Sequence, residues 1–404
     1  MSANIENTVP SYTSSSTSSS SASTSVSSYT SSYAYGGPVA KGKIKAIPED
    51  FFVDELLGFE PSGDGEHVFL HIEKRCLTTL AVRDKIAKLA SCQSMDVGYS
   101  GLKDKWAVTR QWFSVYLPGG DSLNWQSLAE PAVSDEGRAV NSAAYVKLLS
   151  VCRHSKKLRR GVHKANAFRL VISSLESNSD QDANALYDQL ARKITAFCQQ
   201  GVPNYFGEQR FGKKNLPKAR ALFASNKRMP REQRSLCLSA ARSYLFNRVL
   251  SARITAGNWS TYLDGDVLML DGSRSRFVLG AGDDDRGSDD SSHDSGHDSS
   301  NKQISAHIEQ RLAQGDIHLS GPMCGRGCSG VTSAAEQFEA ESIADEVSLV
   351  EGLDRQGVDV ARRPLRFIPK QLDWSLESGK CHLSFVLPTG SYATVLVREL
   401  VECL

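Results

Sequence analysis

The stretch Val97-Gly98-Tyr99-Ser100-Gly101-Leu102-Lys103-Asp104-Lys105-Trp106-Ala107-Val108-Thr109-Arg110-Gln111-Trp112-Phe113-Ser114-Val115 sets apolar runs on either side of a short polar centre. The residues from Gln111 to Leu117 read as a strand. Asp104 precedes them, with Lys103 and Lys105 beside it. Neighbouring cations favour the charged form of a carboxylate. A charged Asp on a loop between two strands can act as a base or a nucleophile. Lys-Asp-Lys also describes an ordinary solvated turn, so the stretch needs the rest of the chain to decide it.

A chain of 404 residues, 40% of them hydrophobic, can bury a sizeable core and has room for two domains. The net charge of +1 selects no partner by itself. Nine scattered cysteines suit reduced thiols and a cytoplasmic setting better than a disulfide framework. No apolar run approaches the roughly 20 residues of a membrane span. Residues 1–38 are rich in Ser and Thr, and residues 1–36 hold no Lys or Arg, so a disordered tail is expected there rather than a targeting signal.

From Val39 onward the pattern is regular. Lys43 to Glu55 reads as strand, Pro48-set turn and strand, and Gly58 to Glu66 as loop. His67 to Ile72 is strand-like, with Val68, Leu70 and Ile72 in one phase. Thr78 or Thr79 is a candidate N-cap for a helix presenting Leu80, Val82, Ile86 and Leu89. Asn166 to Ile172 reads as a strand, Ser173 to Asp182 as a polar linker, and Ala183 to Gln200 as an amphipathic helix ending at Gly201. A long helix is expected over Pro230–Ala256, and short strands over Asp264–Leu279. Residues 280–301 are acidic and Ser-rich and are expected to form a disordered loop. Ser333-Ala-Ala-Glu336 has the pattern of a capping box opening a helix to about Leu353. A strand over 381–387, a turn at Pro388–Gly390 and a closing helix complete the reading.

Two segments carry recognition chemistry. Between Arg153 and Lys164 lie Lys156, Lys157, Arg159 and Arg160, just before a strand. Cations clustered at a sheet edge form an electrostatic footprint for phosphates. Asn204 to Lys214 interleaves aromatics with cations, which suits nucleic acid, although Tyr205, Phe206 and Phe211 suit a core equally. Cys324 and Cys328 with His318 fall short of the four ligands of a structural zinc site, so no metal is expected.

Five motifs, in order, resemble the TruD family of tRNA pseudouridine synthases: Lys45-x-x-Pro48-Glu-Asp-Phe51-x-Val-x-Glu55, Gly101-Leu-Lys-Asp104-Lys-x-Ala-Val-Thr109-x-Gln111, Lys157-Leu-Arg-x-Gly-x-x-Lys164-x-Asn166-x-Phe168, Pro203-Asn-Tyr-Phe-Gly-x-Gln-Arg-Phe-Gly212 and Leu387-Pro-x-Gly-Ser-Tyr-Ala-Thr394-x-x-x-Arg-Glu-Leu400. The resemblance implies an α+β fold, in which a pseudouridine-synthase-type mixed or antiparallel sheet forms the catalytic domain, with an inserted α+β domain. That domain is placed at 201–366, splitting the catalytic domain into 39–200 and 367–404. The implied reaction turns uridine into pseudouridine in tRNA, at uridine-13 of tRNA(Glu) in bacterial relatives, with no cofactor. Asp104 matches the catalytic aspartate. Phe51 and Tyr392 match aromatic positions at the pocket, Asn166 its amide and Lys45 a basic residue near the nucleophile. Ala165 replaces a usual Gly. No protein partner is implied, and a monomer is expected. A non-catalytic RNA binder and a glycosidase pairing Asp104 with Glu55 are the rival readings; the second requires two carboxyls about 5–10 Å apart across a sugar.

Overall fold

In the computed structural model of the chain, residues 31–119, 123–129, 144–178, 183–212, 214–225, 228–279 and 297–404 are described. The first part lays down β1 (Ala40–Ile44), β2 (Phe51–Leu56), β3 (His67–Arg75), α1 (Thr79–Leu89), β4 (Gly98–Tyr99), β5 (Val108–Tyr116), β6 (Tyr145–His154), β7 (Ala165–Ser177) and α2 (Ala183–Gln200). A middle part follows with β8 (Val202–Pro203), α3 (Asn215–Ala224), α4 (Arg231–Thr255), β9 (Val267–Leu270), β10 (Arg276–Val278), α5 (His297–Gln314), β11 (Ile317–Met323), α6 (Ser333–Ser342), α7 (Val347–Arg355), β12 (Ala361–Pro364) and β13 (Arg366–Phe367). The last part holds β14 (Lys370–Glu377), β15 (Lys380–Pro388), α8 (Ala393–Leu400) and β16 (Val401–Cys403).

The first and last parts share one 10-stranded sheet in the order β14-β15-β7-β2-β5-β3-β6, with β1 joining β7 to β16 and β4 flanking β5. It is mixed, because β2 runs parallel to β5 and β1 parallel to β16 while the other pairs are antiparallel. The middle part builds a separate four-stranded sheet, β10-β9-β11-β12. At its two ends β8 pairs with β13, Arg366 opposite Pro203. The α+β class and mixed sheet read from the sequence are the ones found.

Register decides which side chains share a face. Val53 faces Thr109 on one neighbour and Phe168 on the other, Glu55 faces Asn166, and Thr109 faces Lys74. Phe51, Glu55, Lys74, Thr109 and Asn166 therefore project from one side of the sheet. On that side Val82 and Ile86 of α1 pack on Val68, Leu70, Ile72 and Phe113. Each such buried side chain contributes roughly 1.5–3 kcal/mol of hydrophobic free energy. The opposite side buries Phe69 with Leu57 and Leu158. Among the described residues no helix is long and apolar enough to cross a membrane.

Several expectations need correction. Residues 1–30 lie outside the described residues, but from residue 31 the chain is packed. Tyr35 donates to the Gly201 carbonyl at 2.5 Å and sets its ring 5.2 Å from Phe197; its apolar ring gives this end a reason to dock that serine lacks. The linker expected from Ser173 is still strand to Ser177, because β7 continues pairing with β1. Leu80 is 41% exposed, whereas Val82 and Ile86 are fully buried. Of the two candidate caps of α1, Thr78 takes the position, as one of the alternatives has it, accepting from the Ala81 amide at 3.1 Å. The helix expected from Ser333 to Leu353 breaks around Ala344–Glu346 into α6 and α7. Its capping box does not form, since Thr332 takes the N-cap position and Ser333 sits at φ +53. Residues 280–296 lie outside the described residues, and His297 already opens α5.

Candidate active site

Asp104 sits on the turn between β4 and β5, and three contacts pin that turn. The Lys103 amide donates to Thr79 Oγ1 at 2.9 Å, Thr79 Oγ1 donates to Gln111 Oε1 at 2.8 Å, and Gln111 Nε2 reaches the Gly101 carbonyl at 3.3 Å. Thr79 and Gln111 are buried, so this small network is worth more than its surface equivalent. On the far side, Lys74 Nζ donates to the Asp104 carbonyl at 2.8 Å. Lys74 is fully buried, and burial pushes its ammonium down to about 8, against the opposing pull of Asp104.

The carboxylate meets a different cation from those beside it in sequence. Lys45 Nζ lies 2.5 Å from Asp104 Oδ2 and 4.0 Å over the Phe51 ring. Lys45 adopts φ +58, a left-handed backbone conformation that costs a non-glycine residue roughly 1–2 kcal/mol. Its carbonyl accepts from Trp106 Nε1 at 2.9 Å, which holds the strained turn against the Asp104 loop. Lys103 turns inward instead. Its Nζ is 2.8 Å from Glu55 Oε2, an ion pair lacking hydrogen-bond angles, and donates to Asn166 Oδ1 at 2.7 Å. Lys105 is exposed. Of the flanking lysines, Lys103 is thus engaged by Glu55 and Asn166, and among the described residues Lys105 forms no ion pair with Asp104.

Asn166 is 8% exposed and bonded at both ends of its amide. Oδ1 accepts from Lys103, and Nδ2 lies 3.2 Å from His163 Nε2. His163 Nδ1 is in turn 2.6 Å from Ser100 Oγ. Burial, then the Lys103 charge, pushes the His163 imidazole down, so it is neutral at pH 7 with Nε2 as acceptor. One Nδ2 hydrogen of Asn166 remains for a ligand.

Tyr392 enters by another route. It precedes α8, and its ring stands edge-on to Phe206 at 6.2 Å. The same segment bonds back to the site: Thr389 Oγ1 donates to the His163 carbonyl at 2.5 Å, and Leu387 pairs with Asn166. Among the described residues no bond or ring contact joins Tyr392 to Asp104 itself. Asp104, Lys45, Phe51 and Asn166 form one contact network; Tyr392 belongs to its neighbour.

Lys156, Lys157, Arg159, Arg160 and Lys164 are all exposed. Leu158 between them is 2% exposed and anchors the loop, its amide donating to Ser114 Oγ at 2.9 Å. Arg160 stacks on Tyr99 with Cζ 3.6 Å from the ring centre, and Lys157 donates to the Met95 carbonyl at 2.9 Å. Tyr205, Phe206 and Phe211 are buried, so this motif's rings are architecture.

Glu55 has a fully buried side chain neutralised by Lys103, which leaves it unable to flank a sugar as a glycosidase acid. Among the described residues no group of three metal-binding side chains occurs. A cavity of about 420 Å³ lies on the opposite side of the sheet, lined by Phe52, Arg169 and Asp373 among others, and none of the site residues borders it. Lys74 and His163 escaped the sequence reading. Extending the phase of Val68, Leu70 and Ile72 by one step finds Lys74 pointing into the interior.

Comparison with known proteins gives the family. The sequence model of the family tRNA pseudouridine synthase D (TruD) matches residues 29–222 and 217–400. A protein named tRNA pseudouridine synthase D from Methylococcus capsulatus is 40% identical over 373 residues, spanning 91% of this chain and 93% of its own. Its namesake from Aeromonas hydrophila is 40% identical over 370 residues, with the same coverage of 91% and 93%. A crystal structure from Methanosarcina mazei, described as a TruD protein, shares the fold at a TM-score of 0.60 and 17% identity, covering 92% of this chain and 95% of that one. The chain belongs to the tRNA pseudouridine synthase D (TruD) family.

Proposed function

We propose that this chain isomerises uridine to pseudouridine in tRNA, at uridine-13 of tRNA(Glu), with Asp104 as the nucleophile or base. The reaction breaks the bond from C1′ to N1, turns the uracil and joins C5 to C1′; C5 releases its proton to solvent and N1 takes one up, so product and substrate are isomers. Nothing is oxidised or reduced, so the chemistry calls for no cofactor.

The observation that carries the reading is the Asp104–Lys45 pair. Asp104 keeps 33% of its side chain open while Lys45 holds the carboxylate at 2.5 Å and covers Phe51. The contact fixes the position of the carboxylate, which from there can attack or accept a proton. A base inside folded RNA must first be flipped out and then held by stacking and edge hydrogen bonds. Tyr392 supplies one ring; Phe51, 5% exposed beneath Lys45, supplies a second when Lys45 moves off its face, and the free Asn166 N–H supplies a donor to uracil. Lys156, Lys157, Arg159, Arg160 and Lys164 take phosphates nearby. We read 201–366 as the inserted domain; the pairing of β8 with β13 supports it by joining entry to exit. Nine free thiols suit the cytoplasm, and the enzyme acts as a monomer.

The test is release of tritium from C5-labelled uracil in tRNA. Wild type releases label and Asp104→Asn does not, while both bind tRNA. Full-rate release by Asp104→Asn overturns the assignment. Mapping pseudouridine in tRNA from cells lacking the protein checks the position.

A further inference from the structure

Three guanidinium groups converge where α4, β12 and the segment after β15 meet, and among the described residues none is ion-paired with a carboxylate. Arg363 and Arg210 set their Cζ atoms 4.0 and 5.4 Å from the centre of the Phe206 ring. Burial pushes the guanidiniums of Arg242 and Arg363 down; the charges of Cys324 and Asp359 at Arg242, and of Tyr392 at Arg363, oppose it, and the like charge of Arg210 adds to it at both.

Their hydrogen bonds go to neutral acceptors. Arg363 Nε donates to the Asn204 carbonyl at 3.2 Å, and Nη2 to Asn204 Oδ1 at 2.5 Å and the Gly390 carbonyl at 2.9 Å. Arg242 Nη2 donates to the carbonyls of Met323 and Asp359, each at 2.9 Å. Arg210 Nε reaches Ser243 Oγ at 3.4 Å. The Asp359 carboxylate pairs with Arg326 at 3.4 Å. Arg242 Nε is buried with no partner, and the hydrogen bonds of the three groups among the described residues use neither the Nη1 atoms of Arg363 and Arg242 nor the terminal nitrogens of Arg210.

Like charges gathered at a half-buried point repel, and an anion relieves that repulsion. Planar forks with free N–H groups are the donors that match phosphate oxygens. The cluster also touches the proposed pocket, since Phe206 meets Tyr392 at 6.2 Å and Arg363 binds the Gly390 carbonyl. We propose that Arg210, Arg242 and Arg363 form a phosphodiester site, which takes a backbone phosphate of the RNA strand beside the nucleotide presented to Tyr392. The source of the phosphate rests on the tRNA reading above; the oxyanion chemistry rests on the residues alone.

The experiment uses the full chain, with Arg210→Gln and Arg210→Gln/Arg242→Gln. Unmodified tRNA transcript is titrated at several salt concentrations, and melting is followed with and without inorganic phosphate. The single variant weakens binding several-fold and lowers the salt slope by about 0.7–0.9, and the double variant by about twice that. Arg210 is exposed, and removing it relieves repulsion, so its variant melts at or above wild type; a structural role would lower the melting temperature. An unchanged slope in both variants overturns the proposal. Phosphate raising the melting temperature of wild type while the tRNA slopes stay equal makes this a free-phosphate site and overturns the RNA assignment. Altered slopes without tritium release by wild type uphold this site and sink the proposed isomerase.

Discussion

Lys45 Nζ and Asp104 Oδ2 stand 2.5 Å apart although 59 residues separate them in the chain. The strained turn before β2 and the loop before β5 are both needed to bring them together. A hydrogen bond to a charged group contributes about 1.5–3 kcal/mol, or roughly a 10- to 150-fold change in rate at 1.4 kcal/mol per factor of ten. Lys45→Met therefore loses about that much tritium release at saturating tRNA. Lys45→Arg keeps the charge and recovers part of it. Equal rates for wild type and Lys45→Met would remove Lys45 from the site.

Lys74 gives the site a pH signature. Its ammonium is held at about 8, below the ordinary value of 10.5. Below pH 8 both folded and unfolded chains carry the proton, and the full burial penalty acts. Between pH 8 and 10.5 the folded chain loses the proton first, so stability rises with pH. Relative to Lys74→Met, wild type gains on the order of 3 kcal/mol across that window. Urea unfolding of both proteins at pH 7 and pH 10 measures it, with groups common to both cancelling. A flat difference refutes the buried, protonated lysine.

Local pattern made much of the sheet legible. The phase of Val68, Leu70 and Ile72 locates β3, and Leu190, Ile194 and Phe197 locate α2, because burying one face is a short-range constraint. The partner of Asp104 was not legible from its neighbours. Successive side chains on a loop diverge, so Lys103 reaches Glu55 while the cation at Asp104 arrives from a distant turn. Only the matched motifs named Lys45. β6 escaped because Lys147, Ser150 and the exposed Val151 dilute its alternation at the edge of the sheet. The arginine cluster was invisible for the same reason as the Lys45 pair: Arg210, Arg242 and Arg363 come from three elements.

The Glu55–Lys103 pair, with side chains 0% and 7% exposed, tests the underside of the site. Removing one partner of a buried pair leaves a stranded charge and costs about 3–5 kcal/mol. Glu55→Gln strands Lys103 and tilts Asn166, its hydrogen-bond acceptor. Lys103→Met strands Glu55. The double variant Glu55→Gln/Lys103→Met recovers much of the stability in a thermal melt but not the tritium release, because Asn166 has lost the donor that orients it. Additive losses in the double variant would show that the two groups do not act as a pair.

The basic loop separates anchor from contact. Leu158 packs with Leu57 and Phe69, so Leu158→Ala costs roughly 2–5 kcal/mol. Lys156 and Arg159 are exposed, and their heads are not ion-paired with a carboxylate among the described residues. Replacing both with Gln leaves melting unchanged, weakens tRNA binding and lowers the salt slope by about 0.7–0.9 per charge. The loop and the arginine cluster lie on different elements, so their effects on slope add when the variants are combined. A double Gln variant that melts like wild type and binds tRNA with the same salt dependence would take the loop out of the interface and leave the cluster beside Tyr392 as the place where the strand is held.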